Sequence, residues 1–241
     1  MCFTVNVNLV KEELENRYGA NFLDPESYRP SYYYHAFGFP RLPVIRQGES
    51  RVIDVLTWGL IPGWVRSIDE ADEIRKKTFN ARSETLVSKP AFSASFESRR
   101  CIIPVSGFFE WQHVAGNKIP WYISRSDKDI MSLAGLWSTW TDSASGKVFT
   151  TFSVVTTDAN NLMAEIHNSK KRMPLVIERD LENVWLGSAP GHDLPASILA
   201  PYPDEVLTAY TISDLVNNKH ADKNTPEIIR PYSRPIQTTL F

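Results

Sequence analysis

Apolar and polar positions alternate from the start of the chain. Val5, Val7 and Leu9 are separated by Asn6 and Asn8, and this period of two predicts a strand that Cys2 leads into. Residues 11–18 carry a short polar helical pattern closed by Gly19. Residues 28–43, rich in aromatics, Pro and Gly, read as a structured loop. Residues 42–47 and 51–60 predict two strands around the turn formers Gly48-Glu49-Ser50, and two tryptophans, Trp58 and Trp64, then flank a Pro-Gly loop. Residues 69–77 place acidic side chains early and Arg75, Lys76 and Lys77 late, as a helix dipole favours. Residues 80–84 read as a loop and 89–98 as a short helix or loop. The apolar run 100–111, broken by Pro104 and Gly107, predicts one bent or edge strand. Further strands are predicted at 120–125, 130–137, 149–156, 174–177 and 206–212. Short helices are predicted up to Ile166, with Asp158 as cap, and at 180–186.

The pattern predicts an α+β fold: a single compact domain with a curved antiparallel, barrel-like β core and peripheral short helices. The domain is expected over residues 1–222, with an irregular C-terminal tail over 223–241.

Composition narrows the function. The chain has 241 residues, 42% hydrophobic and 22% charged, enough to bury a substantial core. With a net charge of -2, no global positive field attracts nucleic acid, so any such site must be a local basic patch. Two cysteines, Cys2 and Cys101, make no disulfide framework and fit a reducing compartment. No secretory leader or membrane span is legible, and a cytoplasmic monomer is the expectation. The five histidines (His35, His113, His167, His192, His220) lack ligand spacing, so no metal is expected. No phosphate-binding loop or nucleophile elbow is present, and no cofactor is implied.

The chemistry begins at Cys2, directly after Met1. Removing Met1 would leave an α-amine (pKa ~8) and a thiol (~8.5) on one residue. Such an aminothiol condenses with an aldehyde to an imine, which the sulfur then closes to a thiazolidine in an intramolecular step. Elsewhere, Glu110 stands between Phe109 and Trp111, where desolvation would make it a proton shuttle unless it simply faces solvent. His167, at a predicted helix end before Lys170-Lys171-Arg172, is either a general acid beside a basic patch or a helix cap. Asn80 and Arg82 offer a hydrogen bond and a phosphate contact, or plain turn chemistry. Trp58, Trp64 and Trp111 are candidate base-stacking platforms, although core packing is the commoner role of any one tryptophan.

These residues recur in a fixed order. Cys2 is followed by Trp58-Gly-Leu-Ile-Pro-Gly-Trp64, Asn80-Ala-Arg-Ser-Glu-Thr85, Cys101 through Trp111, Ala134-Gly-Leu-Trp137, Thr156-Thr-Asp-Ala159, and His167 through Pro174. The ordered set resembles the SOS response-associated peptidase (SRAP) family, the abasic-site processing proteins, from residue 2 to about residue 220. The resemblance implies a positively charged groove for single-stranded DNA containing abasic sites, and covalent crosslinking through the N-terminal cysteine. It implies that Cys2 is the nucleophile, that Asn80 holds the N-terminal residue and ligand, and that Glu110 shuttles protons. It further implies that His167 assists sugar-ring opening and crosslink reversal, and that Arg82 and Arg172 contact phosphates.

Three departures stand out. Phe3 and Thr4 replace the family's Gly-Arg, Phe37 stands where the family has proline beside the DNA groove, and the segment from His167 to Arg172 is longer than usual. Lys170 and Lys171 in that segment can replace lost positive charge. Two alternatives remain open from the sequence: a thiol peptidase acting through Cys2, with removal of Met1 as its narrowest form, and a non-catalytic single-strand binder.

Overall fold

The computed structural model describes residues 2–48, 50–187 and 189–234. The strands are β1 (Thr4–Val7), β2 (Asn21–Phe22), β3 (Ser31–His35), β4 (Arg41–Gln47), β5 (Arg51–Trp58), β6 (Asn80–Arg82) and β7 (Arg100–Val105), then β8 (Gly107–Val114), β9 (Asn117–Arg125), β10 (Met131–Thr141), β11 (Val148–Asp158), β12 (Arg172–Pro174) and β13 (Leu207–Thr211). The helices are α1 (Lys11–Tyr18), α2 (Ile68–Arg75), α3 (Ser93–Ser98), α4 (Asn161–Ile166) and α5 (Glu182–Leu186), with several short 3-10 turns.

Strands β5, β4, β7, β10 and β11 pair in that order, and β11 returns to β5 in parallel through Thr151↔Thr57 and Phe152↔Trp58. The ring closes into a mixed five-stranded barrel with no free edge among its members. The predicted α+β domain with a barrel-like core is therefore the fold, with parallel pairs of β11 to β5 and β6, and of β2 to β5, among the antiparallel ones. Inside the barrel the small residue Gly135 faces Cys101. A side chain there would meet the Ile103 Cδ1 at 2.2 Å and the Cys101 sulfur at 2.9 Å. Cys101 is thus a packing residue of the interior, with its thiol driven far up by burial.

A second, antiparallel sheet runs in the order β13–β9–β8–β1–β3. Its inner face, including Val5, Val7, Phe108 and Ile123, joins the main core. Its outer face presents Phe109 and Tyr122, which Ile212, Val216 and Ile228 cover from the C-terminal segment. The chain between 223 and 234 holds a 3-10 turn over Pro226–Ile229, with Ile228 fully buried. It is irregular in conformation but packed, and residues 235–241 lie outside the described ones.

Local readings differ in instructive places. Residues 31–35, expected within a structured loop over 28–43 for its aromatics, Pro and Gly, form β3 by pairing with β1. Asn80–Arg82, expected as a loop, forms β6 alongside β11. The run 100–111 is two strands in different sheets, parted at Ser106. Gly107 opens the second, and a side chain there would strike the Ile123 carbonyl and the Tyr122 hydroxyl at 2.5 Å. Helix α4 is capped by Asn160, whose side-chain Oδ1 accepts from the Met163 amide at 2.8 Å, while Asp158 stays in β11 and pairs with Arg172. Among the described residues no helix is long and apolar enough to cross a membrane.

Candidate active-site cleft

Register brings the start of the chain to Glu110. Strand β1 pairs antiparallel with β8 through Val5↔Phe108 and Asn6↔Gly107, so continuing toward the terminus sets residue 3 beside 110 and residue 2 beside 111. Along β8, side chains alternate. Phe108 and Glu110 therefore share the face turned toward the core, and the Glu110 carboxylate lies at the end of that face, only 7% exposed. Burial raises its pKa above the ordinary carboxylate value. Its Oε1 accepts from the Trp111 amide at 3.1 Å. Cys2 is fully buried, and burial together with the negative charge of Glu110 pushes its thiol up to about 12. In the full-length chain, then, the sulfur is a protonated thiol close to a carboxyl group.

His167 follows α4 and is 6% exposed, with Nδ1 standing 3.7 Å from the Glu110 Oε2. That is too long for a hydrogen bond. Instead Nδ1 lies 2.8 Å from the Arg172 carbonyl oxygen, which can only accept, so Nδ1 carries the proton and Nε2 keeps a lone pair. The Arg172 amide nitrogen is a more distant neighbour of the same Nδ1, at 3.4 Å. Burial first, with the positive charge of Lys170 contributing, lowers His167 to about 4. The longer segment after His167 leaves it beside Glu110. The extra residues form a turn in which Lys171 takes a left-handed φ of 48° and its amide donates to the His167 carbonyl at 2.8 Å. Asn168 fastens that turn to β8: its Oδ1 accepts from the His113 amide at 3.1 Å, and its Nδ2 donates to the His113 carbonyl at 2.8 Å.

Glu110 and His167 line a cleft of about 860 Å³ together with Phe3, Trp111 and His113, rimmed by Lys118, Lys170, Lys219 and Lys223. Glu110 is the one acidic residue among its described lining. A net-negative chain thus concentrates positive charge in one depression. Phe3 also lines a hollow of about 170 Å³ with Phe37, Lys77, Phe79 and Asn80. Lys77 and Asn80 in turn line a third hollow of about 680 Å³ with Trp64, Arg82 and Lys89. Shared walls make the three one groove. Both polar atoms of the Asn80 amide are shielded from solvent and lack a hydrogen-bond partner among the described residues, a costly state that a bound polar group would relieve.

Trp58 and Arg172 lie outside the groove. Trp58 is fully buried, donates from Nε1 to the Phe79 carbonyl at 2.8 Å and stacks on Phe152, so it packs the core and offers no face to a base. Arg172 is 7% exposed, and its guanidinium is taken up by Glu84 at 2.8 Å and Asp158 at 2.7 Å, which ties β12 to β11 rather than reaching the groove. Trp64 and Phe37 are exposed, Trp111 half-buried, and Arg82, Lys170 and Lys171 exposed, with Lys171 outside the cleft lining. Sequence reasoning did not single out Tyr33, His35, His113, Lys118, Lys219 and Lys223 as cleft residues. The alternation Tyr33, His35, Phe37 was the available signal for part of this set, obscured by the flanking prolines.

Residues 1–219 match the family described as SOS response associated peptidase (SRAP). The chain belongs to that family. It is 35% identical over 213 residues to the abasic site processing protein YoqW of Bacillus subtilis, covering 88% of this chain and 90% of that one. It is 32% identical over 200 residues to the abasic site processing protein HMCES of Xenopus tropicalis, covering 74% of this chain and 57% of that longer one. A crystal structure of a Bacteroides thetaiotaomicron protein superposes with a TM-score of 0.90 at 38% identity, over 96% of this chain and all of that one (100%).

Proposed function

We propose that this SRAP protein captures abasic sites in single-stranded DNA as a covalent adduct of Cys2. The observation that carries the reading is the buried Glu110–His167 pair at the floor of a lysine-rimmed cleft, on the strand beside the start of β1. The names of the relatives point to the same lesion.

Removal of Met1 by hydrolysis bares the Cys2 α-amine. We read the peptidase of the family description as this cleavage of the chain's own first bond, with Glu110 placed to assist it. The amine adds to the C1′ aldehyde carbon of the ring-opened sugar. The carbinolamine hydroxyl leaves as water with a proton from Glu110, the resulting carboxylate takes the proton from nitrogen, and an imine remains. Sulfur then adds to the imine carbon, and the thiol proton ends on nitrogen. Aldehyde and aminothiol are consumed, and thiazolidine and water are formed. A carboxyl group whose pKa is raised by burial keeps its proton more readily than an ordinary carboxylate, which suits it to give and take a proton as both steps require. His167, held toward its neutral form by burial and with its Nδ1 engaged by the Arg172 carbonyl, is suited to take the sugar hydroxyl proton as the ring opens and to serve the reverse reaction. The unsatisfied Asn80 amide is suited to hold the N-terminal residue or the sugar. An imine not trapped by sulfur would be prone to β-elimination, so strand cleavage is the natural side reaction.

The test is incubation of purified protein with a single-stranded oligonucleotide containing one abasic site. A denaturant-stable adduct is expected, together with an intact mass lacking Met1. No adduct, or an equally stable adduct with Cys2→Ala, overturns the reading.

A further inference from the structure

Strand β3 and the turn after it carry Tyr33, His35 and Phe37 at alternate positions, and their rings form a row along the groove. Tyr33 and His35 lie 6.1 Å apart at 19°, and His35 and Phe37 lie 5.5 Å apart. Phe37 continues to Phe3 at 5.3 Å and Phe79 at 5.0 Å. The row begins in the cleft of Glu110 and His167, where Tyr33 and His35 are wall residues, and ends in the adjoining hollow, where Phe37 meets Asn80. His35 is exposed, and Phe37 is 56% exposed. Tyr33 is half-buried against Phe109, but the two rings that follow it, His35 and Phe37, are left open side by side and call for a partner.

The surroundings identify that partner. Cations stand at both ends: the Lys223 ammonium lies 4.9 Å above the Tyr33 ring, and Lys77 lines the hollow beside Phe37. Desolvation and the Lys223 charge hold the imidazole of the middle ring, His35, below its ordinary value, which favours its uncharged form. Its orientation is fixed by the Thr4 hydroxyl, 2.9 Å from Nδ1. Flat apolar rings between fixed cations match a polymer of flat bases on a polyanionic backbone. A protein partner offers no reason for a stacked row with lysines at its two ends.

We propose that Tyr33, His35 and Phe37 form a base-stacking track for the nucleotides adjoining the reacting one. The proposal rests on the single-stranded DNA reading above and deepens it: specificity for unpaired strands comes from this track, because paired bases cannot present their faces. Thr4 acts as its positioning residue by holding the His35 ring in line.

The test uses a short single-stranded oligonucleotide carrying a tetrahydrofuran abasic analogue, which cannot react, flanked by 2-aminopurine. Wild-type protein should quench the aminopurine on binding. Phe37→Leu, which keeps bulk but removes the ring, should lose the quenching and weaken binding about five- to a hundred-fold, and so should His35→Ala. Phe37→Trp should restore both, which a merely structural role for residue 37 would not. Unchanged quenching and affinity in Phe37→Leu and His35→Ala, or no quenching by the wild type, overturns the track. The outcomes separate the two readings. Quenching without any adduct on a true abasic oligonucleotide upholds the track and sinks the covalent chemistry. An adduct without quenching does the reverse.

Discussion

Glu110 and His167 lie close enough to influence each other, yet burial drives each toward its neutral form. That has opposite consequences for chemistry and stability. Glu110→Gln removes the proton shuttle and should slow adduct formation by about 10²–10⁴ fold in single-turnover assays. The same change should stabilise the fold at neutral pH. A raised carboxyl pKa means that the folded chain holds the proton more tightly than the unfolded one, so the group's contribution is present at low pH and is lost as pH rises through its folded value. The melting temperature of Glu110→Gln should therefore exceed wild type at pH 8, by about 2–4 °C for each ~1 kcal/mol relieved, with a smaller gain near pH 4.5. His167 has the opposite sign of charge. Its value is lowered to about 4, so the stability linked to its neutral form is complete above the ordinary histidine value and is lost as pH falls from there toward about 4. Melting curves across that window should fall less steeply for His167→Gln. Adduct formation should be slowed by this substitution through the ring-opening step, and release of the adduct should be slowed more.

At the scale of elements, the legible parts were those with an unbroken period. Strands β5, β11 and β13 and helices α1 and α2 follow their alternation or helical pattern closely. The parts missed were set by pairing partners distant in sequence. Tyr32–Tyr34 are β-favouring residues between prolines, and only β1 makes them a strand. Asn80 is held in a strand by Val154 of β11, and nothing in Asn80–Arg82 alone demands this. The cap of α4 went to Asn160 because Asp158 is engaged by Arg172 across β11 and β12. Arg172 fitted a basic patch in the linear sequence, but its partners Glu84 and Asp158 lie 88 and 14 residues away. Arg172→Ala should accordingly cost about 2–3 kcal/mol in denaturant unfolding, as a lost charge-assisted network does, with little effect on affinity for the unreactive oligonucleotide. Asn168 makes a parallel case for the extended segment. Its two bonds to the His113 backbone lace the turn after α4 to the strand that carries Glu110. Asn168→Ala should speed hydrogen exchange at the His113 amide and slow adduct release, because the loop that sets His167 is loosened.

For the whole molecule, the fold explains how a chain of net charge -2 presents a cleft rimmed by cations. Closing β5 onto β11 consumes the sheet's edges, and the second sheet packs over the core with the start of β1 beside the first half of β8. Charges from remote segments converge there: Lys118 from β9, Lys170 from the turn after α4, and Lys219 and Lys223 from the covering C-terminal segment. The linear sequence shows these as scattered polar positions, so the patch was not legible from composition, whereas the order of the motifs was. The attraction is local and should be screened by salt. Single-stranded DNA loses about 0.7 in the slope of log affinity against log salt for each phosphate contact removed. If the four lysines of the cleft each engage a phosphate, they should contribute a slope of about -3 to wild-type binding of the unreactive oligonucleotide. Lys118→Ala and Lys219→Ala should each reduce its magnitude by about 0.7, while Lys171→Ala, whose side chain lies outside the lining, should leave it unchanged. A slope near zero, or equal losses for all three variants, would mean that the strand does not follow this cleft, and the position of Glu110 and His167 on its floor would then need another explanation.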